Sequence, residues 1–413
     1  MLRSPVSLVP SFAGAALALA ACREDPTAPT DSPSPAVAAS PVWTQVTVGA
    51  QHTCALASSG RAYCWGSAEF GQLGTGTTPV SLPRPTRVAG GLQFEQISAG
   101  LMHTCAVTTE HKAYCWGANG TGALGDGTTT SRTTPVLVAG GRRFERIRAG
   151  AWYTCAFTAA GKAFCWGYNT YGELGDGTTT SHITPVAVLG GLVVRGLTAG
   201  GLHTCAVTTA DKAYCWGRGL EGQLGQGAKR NSSRPVAVSG GFAWKAILTG
   251  SDHTCGITTA AKAYCWGTFG TDTYSGLGTG SNSDGSAAPL PVAGTRSWRQ
   301  LTAGSLHTCG ITLADVPFCW GLNFSGQNGD GTTTIATGVP TRVAGNLKLI
   351  GVATGVEILD QQFDNSNAQH TCGLTAAGKI YCWGWNLYGQ LGTGKTSAGQ
   401  PKSLVPVLAL MPS

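Results

Sequence analysis

Seven times along the chain two cysteines stand ten residues apart, and in six of the seven a histidine lies two residues before the first. The pairs are Cys54 with Cys64, Cys105 with Cys115, Cys155 with Cys165, Cys205 with Cys215, Cys255 with Cys265, Cys309 with Cys319, and Cys372 with Cys382. Thiols and imidazoles in this pattern offer two chemistries. One is a metal centre, which needs four converging N or S ligands at short range. Each unit supplies two cysteines and at most one nearby histidine, and Tyr153 takes the histidine's place in the third. The other is oxidation of each pair, which needs the two cysteines to face one another and an oxidising compartment.

The elements around the cysteines decide between them. The stretch from His52, "HTCALASSGRAYCWG", reads as two strands around a three-residue loop, Ser58-Ser59-Gly60. Such a loop wants its last residue in the left-handed region. That position holds Gly60, His111, Gly161, Asp211, Ala261, Asp315 and Gly378, of which Ala261 fits poorly. Counting outward, Ala57 faces Arg61 and Cys54 faces Cys64 in a non-hydrogen-bonded pair, the closer kind, which admits a disulfide. The same count holds in every copy, so seven disulfides are expected and no metal.

The first cysteines of the copies follow one another at steps of 51, 50, 50, 50, 54 and 63 residues. Upstream of each hairpin an alternating segment places Val46, Ile97, Ile147, Leu197, Ile247, Leu301 or Val352 three residues before a glycine. Downstream come a glycine-rich turn such as "GQLGTG" and a short apolar run after proline, for example Pro135 to Val138. Four short strands per unit of about fifty residues predict an all-β fold, a seven-bladed β-propeller of four-stranded antiparallel blades with one disulfide per blade. Either residues 35–38 or the segment Pro406 to Leu410 is expected to complete the last blade.

The fifteenth cysteine is Cys22. Residues 1–21 carry one charge, Arg3, before an apolar run, and read as a secretory signal too short and interrupted for a stable membrane span. The sequence Leu19-Ala20-Ala21-Cys22 resembles a bacterial lipobox, with Cys22 as the acylated mature N-terminus. The alternative is ordinary cleavage after Ala21. Residues 22–41 then form the lipidated cysteine and a Pro/Ser/Thr-rich tether, and residues 42–413 the propeller. The expected location is outside the cytoplasm, lipid-anchored in the cell envelope, at the periplasm or the cell surface. The chain is mildly basic, net +7 from 27 Lys and Arg against 20 Asp and Glu, without an arginine-rich recognition motif, so nucleic acid is not an expected partner.

The order His52, Gly60, Tyr63, Trp65-Gly66, Gly71-Gln72-Leu73-Gly74 and Gly76, preceded by Val48-Gly49, resembles the regulator of chromosome condensation repeat over about residues 42–410. Tyr153, Asn328 and the shortened Ser275 to Gly278 depart from the pattern. The resemblance implies a seven-bladed propeller; a kelch propeller is the alternative, since Gly-Gly pairs such as Gly90-Gly91 recur. It also brings two activities as implications: guanine-nucleotide exchange on a small GTPase, and inhibition of a secreted enzyme, because secreted propellers similar in repeat type bind β-lactamases. An exported chain would not meet the GTPase.

No G-x-S-x-G, phosphate-cradling loop or close carboxylate pair recurs with a matching base, so neither catalysis nor a cofactor is expected. An enzyme assembled from several blades is the remaining alternative. The histidines are expected to bond backbone within or between blades, the tryptophans after the second cysteine to pack between blades, and Asp126, Asp176 and Asp330 to shape turns rather than bind calcium. Binding is expected where the blades differ: at the rim aromatics Phe70, Tyr171, Tyr274, Phe324, Trp385 and Tyr388, and in the blade 7 insertion with Glu357, Asp360, Phe363 and Asp364. Arg142, Arg143, Arg146 and Arg148 are placed at a channel mouth or on a solvated patch. The expected partner is a protein or glycan, met by a monomer whose only membrane contact is the lipid on Cys22.

Overall fold

The computed structural model describes residues 42–268, 276–280, 285–334, 336–355 and 369–412. They form seven four-stranded antiparallel sheets, each drawn from one continuous stretch of chain. In blade 1 these are β1 (Trp43–Val48), β2 (His52–Ala57), β3 (Ala62–Ser67) and β4 (Ser81–Arg87), hydrogen-bonded in that order. The first strands of successive blades neighbour one another around the axis, and the fourth strands lie outermost. The last blade takes its fourth strand, Lys402–Leu408, from the C-terminal segment, which decides the question of closure. The stretch 35–38 lies outside the described residues. The fourth strands begin before the proline: in blade 2 the strand is Arg132–Leu137, with Pro135 inside it. A proline is tolerated there because an outermost strand has a free edge.

The hairpins follow from their loops. Gly60 has φ 75°, and His111, Asp211, Ala261 and Asp315 have φ of 62°, 59°, 59° and 64°, so even Ala261 accepts the left-handed conformation. The register places the two cysteines of every hairpin directly opposite each other. All seven pairs are disulfides. Cys54 is bonded to Cys64, Cys105 to Cys115, Cys155 to Cys165 and Cys205 to Cys215. Cys255 is bonded to Cys265, Cys309 to Cys319 and Cys372 to Cys382. Their Cα atoms lie 4.0–4.1 Å apart, the close approach expected of a non-hydrogen-bonded pair.

The core is divided into slabs, one at each boundary between blades. At the first, Cys54, Cys64 and Leu73 of blade 1 meet Phe94, Ile97 and Trp116 of blade 2. At the last, Cys372, Cys382 and Leu391 of blade 7 meet Trp43, Val48 and Trp65 of blade 1. Cysteine and tryptophan are adjacent in sequence and therefore on opposite faces of the sheet. Each blade thus sets its disulfide against the next blade's indole. The inter-blade packing expected of the tryptophans is what the structure shows.

The glycine between the first two strands has a steric reason. A Cβ built on Gly49 would lie 2.5 Å from the Gly100 carbonyl oxygen, and one on Gly100 would lie 2.3 Å from that of Gly150. The contacts continue through Gly200, Gly250, Gly304 and Gly355, whose own Cβ would meet the Gly49 oxygen at 2.1 Å. Seven backbones touch in a ring with no room for a side chain.

Candidate functional site

The histidines lie directly behind that glycine ring, and all six are buried. Their partners correct the expectation of backbone bonds. His52 Nε2 lies 2.9 Å from the Thr104 hydroxyl, His103 2.9 Å from Thr154, and His203 2.7 Å from Thr254. His253 pairs with Thr308 at 2.9 Å, His307 with Thr371 at 2.8 Å, and His370 with Thr53 at 2.7 Å across the closure. Each bond joins one blade to the next. The Thr104 hydroxyl donates in turn to the Gln72 carbonyl at 2.8 Å, which leaves its oxygen to accept from imidazole N–H. This logic puts the His52 proton on Nε2. The Trp116 indole N–H donates to the same Gln72 carbonyl at 2.9 Å. Trp65 and Thr53 likewise both donate to the Gln390 carbonyl, each at 2.9 Å.

Burial of these imidazoles favours the neutral form. It lowers His52 and His370 to about 3, with a neighbouring histidine adding to the effect in each case. Burial lowers His103 and His307 to about 4, and His203 to about 3. Tyr153 stands in for the histidine of blade 3: its hydroxyl donates to the His203 carbonyl at 2.6 Å and lies 3.1 Å from the Thr204 hydroxyl. Glu173 takes the place of the turn glutamine and accepts the Tyr171 N–H at 2.9 Å. Burial pushes its carboxyl up to about 7. The repeated polar residues are thus engaged in bonds that join neighbouring blades.

The aspartates are turn formers. Asp126 Oδ1 accepts the Thr128 N–H at 2.9 Å and its hydroxyl at 2.7 Å, and Asp330 treats Thr332 in the same way. Asn119 ties the loop from inside, donating to the Thr128 and Thr130 carbonyls and accepting the Leu124 N–H. Among the described residues no group of three or more His, Cys, Asp or Glu is placed to hold a metal ion.

The two rims differ. One carries the short hairpin turns. The other carries the turn between first and second strands and the long loop between third and fourth. Phe70, Tyr171, Phe324, Trp385 and Tyr388 all belong to this long-loop rim, Phe70 and Phe324 exposed and the rest half-buried. Tyr274 and the insertion residues Glu357, Asp360, Phe363 and Asp364 lie outside the described residues. An inner tier was not singled out from sequence. In each blade the residue before the histidine, or before Tyr153 in blade 3, accepts through its carbonyl the N–H of the residue after Cys-Trp-Gly: Met102 from Ala118 at 2.9 Å, Trp152 from Tyr168 at 3.1 Å, Gln369 from Trp385 at 2.9 Å. Met102 and Trp152 pack on Ala50, Leu101 and Ala151, which makes an apolar patch at the inner edge of blades 1 to 3. The sequence signal was present, since this position is the variable one beside a fixed histidine. Blades 4 and 5 are charged instead: Arg218 is paired with Glu221 at 3.1 Å and with Asp252. Burial raises the Asp252 carboxyl even though Arg218 opposes the shift.

Of the four arginines expected together, only two line the channel. Arg142 stacks on the Phe164 ring at 4.7 Å, and Arg143 donates to the Glu110 carbonyl at the hairpin rim. Arg146 and Arg148 lie on the innermost strand of blade 3, Arg146–Ala149.

Seven sequence-contiguous blades, each stapled by a disulfide and bonded to the next through repeated polar residues, define a β-propeller assembled from tandem repeats. A model of the RCC1-like domain matches residues 15–309, and a model of the RCC1 (regulator of chromosome condensation) repeat matches residues 365–390. The chain belongs to the RCC1-like domain family. It is 42% identical over 86 residues to the ultraviolet-B receptor UVR8 of Arabidopsis thaliana, covering 20% of each protein. It is 36% identical over 88 residues to the human E3 ubiquitin-protein ligase HERC2, covering 21% of this chain and 2% of the ligase. The matched segments thus span a fifth or less of these two relatives. Among solved structures it resembles human WBSCR16, with a TM-score of 0.74 and 19% identity over 85% of this chain and 94% of that one. It also resembles Prp20p of Saccharomyces cerevisiae, with a TM-score of 0.72 and 20% identity over 87% and 88%. At that identity the likeness speaks for the fold alone.

Proposed function

We propose that this chain is an exported, lipid-anchored, non-enzymatic propeller that binds a protein partner through its long-loop rim. The observation that carries the reading is the division of labour among residues. Positions that repeat are spent on blade-to-blade bonds, and the positions that vary gather on one rim, where Met102, Trp152 and Tyr168 leave apolar surface partly open. Half-exposed aromatic and methionine side chains beside a charged cluster match the composition of protein-binding surfaces. The solved structure of Prp20p is described with its binding to Gsp1p and histones, so a propeller of this shape can serve as a protein-binding scaffold.

Seven disulfides fit an oxidising compartment. Export through residues 1–21 and acylation of Cys22 extend this reading, with residues 22–41 as the tether. β1 begins at the hairpin rim, opposite the long-loop rim proposed for the partner. Two measurements test the proposal. Intact-mass analysis of the mature protein should find a diacylated or triacylated Cys22 and seven disulfides; an unmodified Cys22 removes the anchor. Affinity capture should lose its partners with Met102→Ala plus Trp152→Ala and keep them with a Ser59→Ala change at the hairpin rim. Deletion of 356–368 reports whether the blade 7 insertion takes part. Undiminished capture by the double variant removes the rim from the reading.

A further inference from the structure

The innermost strand of each blade leaves one backbone edge turned toward the preceding blade and the axis, where side chains of that preceding blade can cover it. Blades 1 and 2 cover that edge with side chains. Gln45 Oε1 accepts the Ile97 N–H at 3.2 Å, its Nε2 donates to the Ile97 carbonyl at 2.8 Å, and Thr47 Oγ1 accepts the Ala99 N–H at 3.1 Å. Gln96 repeats this on Ile147 at 2.8 and 2.9 Å, and Ser98 on the Ala149 N–H at 3.0 Å. At the following boundary the two equivalent positions hold Arg146 and Arg148, and the repeat register makes Leu197 and Ala199 of blade 4 the counterparts of Ile147 and Ala149. Two acceptors have been replaced by two cations, which cannot accept a hydrogen bond at all.

The arginines are also without counter-charge. No carboxylate pairs with either guanidinium among the described residues; the paired arginines are Arg132, Arg195, Arg218 and Arg299. The neighbouring Glu145 is turned to His111, 3.8 Å away. Arg148 makes one side-chain hydrogen bond, to the carbonyl of Ile147 at 3.2 Å. At other boundaries where the edge is uncovered, the two positions hold Ala246 and Leu248 or Gly351 and Ala353, which need no counter-ion.

We propose that Arg146 and Arg148, with the N–H groups of Leu197 and Ala199 opposite them, form an oxyanion site in the channel. It takes a phosphate or carboxylate group, whose oxygens fill the places that glutamine and serine oxygens fill one blade earlier. A guanidinium binds either group in a two-pronged geometry, and here the half-buried Arg148 and the exposed Arg146 are both within reach of an incoming anion. Burial, with the Arg146 charge second, lowers Arg148 to about 10, so the site keeps its charge at neutral pH.

The test uses purified mature protein, with inorganic phosphate and citrate as probes and sodium chloride of matched ionic strength as the control. The variant Arg146→Gln with Arg148→Ser copies Gln96 and Ser98 of blade 2. The wild type should bind phosphate or citrate saturably by calorimetry and unfold at higher temperature than in matched chloride. The double variant should bind about tenfold more weakly or not at all, lose the anion-dependent stabilisation, and be at least as stable as wild type in chloride. The stronger of the two probes tells phosphate from carboxylate as the preferred group. A wild type that responds to neither probe beyond chloride overturns the site, as does a folded double variant that responds undiminished. Should the double variant not fold, Arg148→Lys reads the same site: it keeps the charge and loses the fork, and wild-type affinity there overturns the proposal.

Discussion

Acid should open this propeller, and the size of the effect follows from the histidine ring. Six histidines are buried at the blade boundaries, and burial holds five of them at about 3 to 4. Burial also places the sixth, His253, well below its ordinary value. In the unfolded chain each titrates near 6.5. Below that pH the unfolded state takes up protons that the folded state refuses, so stability is full above about 6.5 and falls as pH drops toward 4. At about pH 5 each of the first five histidines costs about 2 kcal/mol, together about 10 kcal/mol, and His253 adds to the loss in the same direction. Glu173 works the other way. Its carboxyl is raised to about 7 by burial, so it contributes stability below that value and offsets about 2 kcal/mol on going from neutral pH to 5. The net loss from the five histidines, about 8 kcal/mol, is comparable with the whole stability of many domains. The assay is denaturant unfolding under non-reducing conditions at stepped pH from 8 to 4.5, with the slope against pH giving the protons taken up. His103→Tyr copies the non-titrating Tyr153 of blade 3 and should remove about one proton from that slope. A free energy flat between pH 7 and 5 would show that the imidazoles are not held neutral, and the reasoning would fail.

Three further outcomes follow. Gly100→Ala should cost about 3 kcal/mol or more, because the new methyl meets the Gly150 carbonyl at 2.3 Å and backbone cannot yield as a side chain can. Gly90→Ala is the control: it meets nothing within 4 Å and should cost only about 1–2 kcal/mol of left-handed strain, as melting temperatures would show. Ala261→Gly should stabilise by about 1 kcal/mol, because Ala261 sits at φ 59° where six other blades use Gly, Asp or His. Replacing one disulfide, Cys105 with Cys115, by serines should cost about 3 kcal/mol at most, because the bridge spans only ten residues of an already formed hairpin; a larger loss in chemical denaturation would point to damage in the slab against Trp166 rather than to lost cross-linking.

The features legible in the sequence were those set by short-range geometry. A three-residue loop ending at Gly60 determines the hairpin register, and strand alternation then puts Cys54 opposite Cys64. The His52 partner was not legible in the same way. Thr104 is 52 residues distant, and the Thr53–His370 bond spans 317, so both depend on how blades meet rather than on how one folds. The aromatics after Cys-Trp-Gly were found because bulk stands out against a constant motif. Met102 and Trp152 sit beside His103 and Tyr153 and read in sequence as part of the strand entry. The arginines needed the structure most. In sequence Arg142, Arg143, Arg146 and Arg148 make one basic run, and what separates them is where the innermost strand begins: Arg146 and Arg148 lie on it, while Arg142 and Arg143 precede it at the hairpin rim.

The claim that matters most for function is that this chain meets its partner through the long-loop rim. Site-specific photo-crosslinking in the producing cell tests it without knowing the partner. A photoreactive residue at Trp152 or Phe70 should yield a discrete adduct, and one at Ser59 on the hairpin rim should not. Adducts from Ser59 with none from Trp152 and Phe70 would contradict the account.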